Sequence, residues 1–167
     1  LIKKNIQKNG FYLFSHKIKI PYSVIQKLKK LPVHSDPISS ETNKVSRYKS
    51  ISAAKEDKYR LNTRFFYNTL DLVKDYEFWE IISDQLIWET AERYLGTNFC
   101  LQSIISWSLI PPTKHFLKNS NKVKENIFSI QAQSFHYDID WPLFLKFFIC
   151  IDDAKKGSGP FEYALGT

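Results

Sequence analysis

The order of secondary-structure patterns limits the fold of this chain more than any other feature. Helical patterns dominate up to Gly96, and runs typical of strands dominate after it, without alternation between the two. Alternation would indicate a parallel sheet with crossover helices, whereas segregated patterns are typical of α+β proteins. We therefore expect an α+β fold, mainly antiparallel, in which helices from the N-terminal half flank a sheet or barrel.

The first sixty residues suggest three elements. Residues 10–14 are aromatic and apolar and predict a short strand. Pro21 suits the first turn of a helix that ends before Pro32, because apolar residues recur between them at helical spacing. Residues 33–63 are mostly polar and predict a long loop, of the kind that often covers a binding site.

The strongest predicted helix follows Asp75, a suitable N-cap, and ends at Gly96. Beyond it, short apolar runs bounded by proline, glycine and polar residues predict strands. The predicted strands cover residues 98–110, 127–137, 143–151 and 161–165, with a loop over 113–126 and a turn at 157–160.

Charge is distributed unevenly along the chain, whose formal net charge is +7. Residues 1–74 carry 16 Lys and Arg against 5 Asp and Glu, and residues 75–167 carry 8 against 12. A basic half can attract nucleic acid, a membrane surface or an anionic small molecule. The lysines are scattered and form no arginine-rich block, so we interpret most of them as solvated and expect no nucleic-acid partner.

Size and composition favour a single globular domain over residues 1–167. The chain is 43% hydrophobic and 16% aromatic, which supports a packed core and argues against disorder. The longest apolar run is strand-sized and no signal-peptide pattern is visible, so we expect a cytoplasmic protein without a membrane span. Cys100 and Cys150 lie among apolar residues, and we expect buried thiols in a reducing compartment.

His136 and Asp138 carry the clearest chemical signal. Side chains two residues apart on a strand point to the same face. An imidazole and a carboxylate are two members of the 2-His-1-carboxylate set that holds Fe(II) and leaves positions open for a cosubstrate and oxygen. An apolar run and a glycine-rich turn follow the pair, which favours metal ligation over a simple hydrogen-bonded His–Asp pair.

Three segments of the C-terminal part together resemble the phytanoyl-CoA dioxygenase family. They are QAQSFHYD over 131–138, FLKFFICIDD over 144–153 and GPFEYALGT over 159–167. Members of this family are Fe(II)- and 2-oxoglutarate-dependent oxygenases with a double-stranded β-helix, or jelly-roll, fold. The segment 164–167 reads Ala-Leu-Gly-Thr, where the family has an ending similar to Pro-Gly-Ser-His.

The resemblance implies that His136 and Asp138 are iron ligands. It also implies that the third ligand, the arginine that holds 2-oxoglutarate and the closing strands of the barrel lie beyond residue 167. Because Asp138 is present, hydroxylation is favoured over halogenation. We expect an oxidoreductase that hydroxylates a small organic substrate, with an anionic substrate as one option. The alternative is a non-catalytic ligand-binding protein on the same barrel.

Three further residues are weaker site candidates. Lys146 is the single polar side chain in the apolar run 143–151, so it either reaches solvent or meets an anion such as a 2-oxoglutarate carboxylate. Trp141 follows the proposed ligand pair, and Trp107 lies on an earlier predicted strand. Each could line a substrate pocket, with ordinary core packing as the alternative.

Overall fold

The computed structural model describes residues 2–14, 18–35, 45–118, 143–151 and 162. No helix within these ranges is long and apolar enough to span a bilayer. The helices are α1 (Ile2–Asn9), α2 (Tyr22–Lys30), α3 (Ile51–Glu56), α4 (Thr69–Val73), α5 (Tyr76–Ile82), α6 (Gln85–Leu95) and α7 (Lys114–Lys118). The strands are β1 (Val33–Ser35), β2 (Arg47–Tyr48), β3 (Arg64–Tyr67) and β4 (Trp107–Leu109).

The four strands form one antiparallel sheet in the order β2-β1-β3-β4. In the centre of this sheet, His34 of β1 lies opposite Phe66 of β3. At its two sides, Arg47 of β2 pairs with His34 and Trp107 of β4 pairs with Phe66. The expected α+β class with an antiparallel sheet is therefore confirmed for the described part of the chain.

One face of the sheet packs against helices and forms the main core. Val33, Phe65 and Tyr67 point to this face, and Phe65 is fully buried. Successive side chains of a strand point to opposite sides, so these residues alternate with more exposed neighbours. Burial of a phenylalanine side chain contributes about 2–3 kcal/mol, which holds the helices on the sheet. The helical side of this core consists of Val24, Leu28, Ile51, Ala54, Leu72, Phe78 and Ile81.

A buried arginine ties three parts of the fold together. Arg60, between α3 and β3, donates from Nε to the Ala54 carbonyl and from Nη1 to the Asn62 carbonyl, both at 2.9 Å. Its Nη2 donates to the carbonyl of Pro111, just after β4, at 2.6 Å. Hydrogen bonds from an ionised donor are stronger than neutral ones, and they offset the loss of water around a buried charge. Arg60 thereby fixes the helix, the turn and the end of β4 relative to one another.

A tyrosine–aspartate pair joins the edge strand β2 to the end of α3. Tyr48 Oη donates to Asp57 Oδ2 at 2.6 Å. Burial, and then this hydrogen bond, raises the pKa of Tyr48 to about 12. The same hydrogen bond holds the pKa of the Asp57 carboxyl below its ordinary value. The pair therefore favours a protonated phenol and an ionised carboxylate in the folded state.

The helix predicted between Asp75 and Gly96 is two helices. Asp75 caps α5 as predicted, with its side chain accepting a backbone N–H at 2.9 Å. Asp84 caps α6 in the same way, also at 2.9 Å. A second aspartate that accepts from the backbone begins a new helix, so the pattern breaks at Ser83. Gly96 ends α6 as predicted, with a φ of 95°.

The prediction of a strand over residues 10–14 is wrong, because these residues form no strand. The residues before it form α1, and Gly10 follows the end of this helix with a φ of 79° and an N–H donated to the Ile6 carbonyl at 2.7 Å. A glycine in the left-handed region is a common way to end a helix. The helix after Pro21 is confirmed as α2.

The long loop predicted over 33–63 is also wrong, since its described part contains β1, β2 and α3. These strands have three and two residues, which is too short for a period of two to stand out in the sequence. Ser50 begins α3 by accepting the N–H of Ala53 at 3.2 Å. Residues 36–44 of the predicted loop lie outside the described residues.

The strand predicted over 98–110 is confirmed only at Trp107–Leu109. The rest of this range is irregular. Inside the loop predicted over 113–126, the described part contains α7, whose Phe116 N–H donates to Thr113 Oγ1 at 3.0 Å. The other predictions in this half, namely the strands over 127–137 and 161–165 and the turn at 157–160, lie outside the described residues apart from Glu162.

Residues 143–151 run beside the core without forming the predicted strand. Ile149 and Ile151 pack against the core. Cys150 lies between them in the sequence and is exposed. The prediction that Cys100 and Cys150 are buried is wrong, since both thiols are exposed.

Candidate functional site

The predicted site residues divide into two groups. His136, Asp138 and Trp141 lie outside the described residues. Trp107 and Lys146 are described, and both side chains are exposed. Within the described ranges, no three side chains of His, Cys, Asp or Glu come together as a metal site would require.

The second face of the sheet is the most distinctive surface of the described chain. The strand residues that point away from the helices share a polar or aromatic character, apart from one leucine. We call this surface the open face and define it by His34, Arg47, Arg64, Phe66, Trp107 and Leu109. Each of these residues is exposed or half-buried. None of these strand positions is acidic.

Four of these side chains form a row across the sheet. The strand register places Arg47, His34, Phe66 and Trp107 side by side, one from each strand. Side chains directly opposite each other on antiparallel strands have Cβ atoms roughly 4.5–5.5 Å apart, which puts each member of the row within contact range of the next. The His34 and Phe66 rings confirm this contact, with centroids 5.8 Å apart and planes tilted by 32°.

Arg64 adds a second cation beside the row. It lies two residues before Phe66 on the same strand and therefore on the same face. Its guanidinium carbon is 5.0 Å from the centroid of the Phe66 ring, within the range of a cation–π contact. The aromatic ring thus holds the guanidinium over the open face.

Trp107 is not an ordinary core residue. Its side chain is 39% exposed and contacts Phe148 edge to face, with ring centroids 6.2 Å apart. Lys146 precedes Phe148 by two residues, and both are exposed. The Lys146 ammonium lies 5.3 Å from the Phe144 ring centroid. Residues 143–151 therefore bring the stretch that carries Lys146 against the strand that carries Trp107.

A shallow cleft adjoins the row at the end of β1. Its volume is about 220 Å³. Ligand pockets typically measure about 300–1,000 Å³, so this cleft fits one small polar group rather than a whole ligand. Its lining includes Arg47, His34, Asp71 and Asn68. The side-chain oxygen of Asn68 accepts the Leu70 N–H at 3.1 Å. The cleft therefore presents hydrogen-bond donors together with one carboxylate.

Sequence reasoning missed His34, Arg47 and Arg64 as site residues. The one sequence pattern that could have indicated these residues is Arg64-Phe65-Phe66-Tyr67, where a charged residue begins a short aromatic run. Two aromatic side chains of this run face the core, and Arg64 shares the opposite face with Phe66. The strands that carry His34 and Arg47 lie in the range predicted as a loop, so no face could be assigned to them.

Comparison with protein-family models, curated proteins and solved structures found no match for this chain. Its function is therefore argued from its own residues: the motif at 136–138, the open face and the cleft beside it.

Proposed function

We propose that the protein is an Fe(II)- and 2-oxoglutarate-dependent dioxygenase that hydroxylates a small organic substrate. The observation that carries this proposal is the spacing of His136 and Asp138, followed by an apolar run and a glycine-proline turn. Imidazole and carboxylate are donors that suit Fe(II) when coordination positions must stay open. The chain would thus supply two of the three protein ligands from a single short segment.

The architecture supports this proposal in one respect. A double-stranded β-helix needs antiparallel strands with one face turned to a ligand space and the other covered. The described sheet is antiparallel, has helices on one face and has aromatic and basic side chains on the other. We propose that the open face belongs to the interior of such a barrel.

Each candidate site residue would have a separate role in this reaction. His136 and Asp138 would hold the metal, and Fe(II) with 2-oxoglutarate would supply the activation of oxygen. Trp107 and Trp141 would border the substrate space and exclude water. Lys146 is exposed, with its ammonium 5.3 Å from the Phe144 ring centroid, and would be the cation that a carboxylate of the cosubstrate meets.

A second candidate function is non-catalytic binding of a ligand by the same fold. The observation that favours it is the basic and aromatic character of the open face, which needs no metal to attract an anion. The two functions differ in whether 2-oxoglutarate is consumed.

The test compares His136→Ala with His115→Ala, a change of an exposed histidine on α7. Both variants and the unaltered protein are purified anaerobically, supplied with Fe(II), and assayed for bound iron and for 2-oxoglutarate decarboxylation. We expect His136→Ala to lose both signals and His115→Ala to keep them. Circular dichroism checks that each variant remains folded. Undiminished turnover in folded His136→Ala protein would refute the dioxygenase assignment and leave the binding function.

A further inference from the structure

We propose that the open face binds an organic anion, with its carboxylate or phosphate near Arg47 and Arg64 and its flat or apolar part on Phe66 and Trp107. As an assignment of substrate class, this inference rests on the proposed dioxygenase function. As a statement about binding, it rests on the open face alone and requires no iron.

The charge of the open face selects an anion. Arg47 lies beside His34 on the neighbouring strand β2, and Arg64 lies two residues before Phe66 on β3. Every ionisable strand residue on this face is basic or a histidine. A guanidinium can donate two parallel hydrogen bonds to a carboxylate or a phosphate, which gives orientation as well as attraction. Because β1 lies between β2 and β3, the two arginines are two strand spacings apart, roughly 10 Å, and provide donors at two separate points of the face.

The aromatic part of the same face selects an organic ligand over an inorganic ion. Phe66 and Trp107 lie directly opposite each other in the strand register, and Trp107 is the more exposed of the two. Trp107 remains 39% exposed even with its edge-to-face contact to Phe148. A ligand with a flat or apolar body would remove this surface from water, at about 25 cal/mol per Å² of apolar area buried. Phosphate or sulfate alone would gain nothing from it.

Asp71 sets a limit on how the anion is placed. It is the carboxylate lining the cleft that Arg47 and His34 also line. A negative group deep in this cleft would be repelled by Asp71, whereas one outside the cleft would be repelled less. We therefore place the anionic group between the two arginines. Removal of the Asp71 charge should strengthen binding.

The test uses 1-naphthyl phosphate as the probe, with 1-naphthol and inorganic phosphate as the two partial probes. Binding is measured by isothermal titration calorimetry at low salt on the unaltered protein and on Arg47→Gln, Arg64→Gln and Asp71→Asn. Arg93→Gln is the matched control, because Arg93 is an exposed arginine on α6 whose partner is Glu89. Thermal unfolding confirms that each variant is folded.

We expect 1-naphthyl phosphate to bind more tightly than either partial probe. Loss of a hydrogen bond between charged groups should weaken this binding about tenfold in Arg47→Gln and in Arg64→Gln. Asp71→Asn should bind the probe more tightly, and Arg93→Gln should bind it like the unaltered protein. Equal affinity for 1-naphthol, no detectable binding, or unchanged affinity in both arginine variants would overturn the inference.

The outcome is separable from that of the dioxygenase proposal. His136→Ala should still bind 1-naphthyl phosphate, because all the contacts proposed for the probe are made by the residues that define the open face. Probe binding without any 2-oxoglutarate turnover in the unaltered protein would remove the dioxygenase assignment and leave the anion site. 2-Oxoglutarate turnover in a protein that fails to bind 1-naphthyl phosphate would remove the anion site and leave the dioxygenase assignment.

Discussion

Replacement of Arg60 by methionine should be among the most damaging changes in this protein. The guanidinium is buried, with 7% of the residue exposed, and donates to three backbone carbonyls. Methionine has a similar length but no donor, so Arg60→Met leaves those carbonyls without this partner inside the protein. Arg60→Lys keeps the charge, but a single ammonium cannot reproduce the planar arrangement of the guanidinium donors.

The size of the effect follows from the three hydrogen bonds. A hydrogen bond to a charged group contributes about 1.5 kcal/mol or more net, so three of them amount to roughly 4–5 kcal/mol. Part of this is recovered because methionine has no charge to remove from water. We expect a net loss of about 3 kcal/mol in the free energy of unfolding. That is a large share of the roughly 5–15 kcal/mol typical of a domain.

Urea unfolding followed by tryptophan fluorescence and circular dichroism measures this loss. With a slope near 2 kcal/mol/M, the midpoint should fall by about 1.5 M. Arg93→Met is the control, because its arginine is exposed on α6 and should change the midpoint little. If Arg60→Met unfolded at nearly the same urea concentration as the control, the three hydrogen bonds would not have the stabilising role assigned to them.

The remaining predictions concern Tyr48 and Gly96. The pKa of Tyr48 is raised to about 12 in the folded state, above the ordinary value of 10.0, so the folded protein retains a proton that the unfolded chain releases. Stability should therefore fall between pH 10 and pH 12. Urea unfolding of Tyr48→Phe, measured at several pH values, should show a smaller fall in stability. A pH profile identical to that of the unaltered protein would contradict the raised pKa of Tyr48. Gly96→Ala should cost about 2 kcal/mol in thermal unfolding, because a φ of 95° with ψ of 179° is open almost only to glycine. No atom lies within 4 Å of the added Cβ, so a negligible effect would refute the backbone explanation.

Helices whose apolar spacing extends over several turns could be predicted from the sequence, and the strands of two or three residues could not. The helix after Pro21 and the ends of the helical region at Asp75 and Gly96 follow from apolar spacing and from capping residues. The strands β1 and β2 are held by pairing with residues distant in sequence, and such pairing leaves almost no local pattern. The N-cap role of Asp84 was readable in principle, but the apolar spacing continued through it.

The sequence supports a site prediction only where residues with metal-binding chemistry are concentrated in one motif. His136-x-Asp138 stands out because both side chains lie within three residues and suit one metal. The open face has no such motif, since its residues come from four strands and converge only through the register. Alternation along a strand over 143–151 predicts one face for Lys146, Phe144, Phe148 and Cys150; the strand does not form, and Phe144 is half-buried whereas the other three are exposed.

The three hydrogen bonds of Arg60 affect which substitutions this sequence can accept during evolution. All three of its acceptors are main-chain carbonyls, which every amino acid provides. Pro111 is exposed, so its side chain is open to replacement while its carbonyl stays in place. The side chain at position 60 must then remain arginine, whereas the side chain at position 111 can change without a compensating substitution. Related sequences would keep this link between distant segments without any correlated substitution to reveal it.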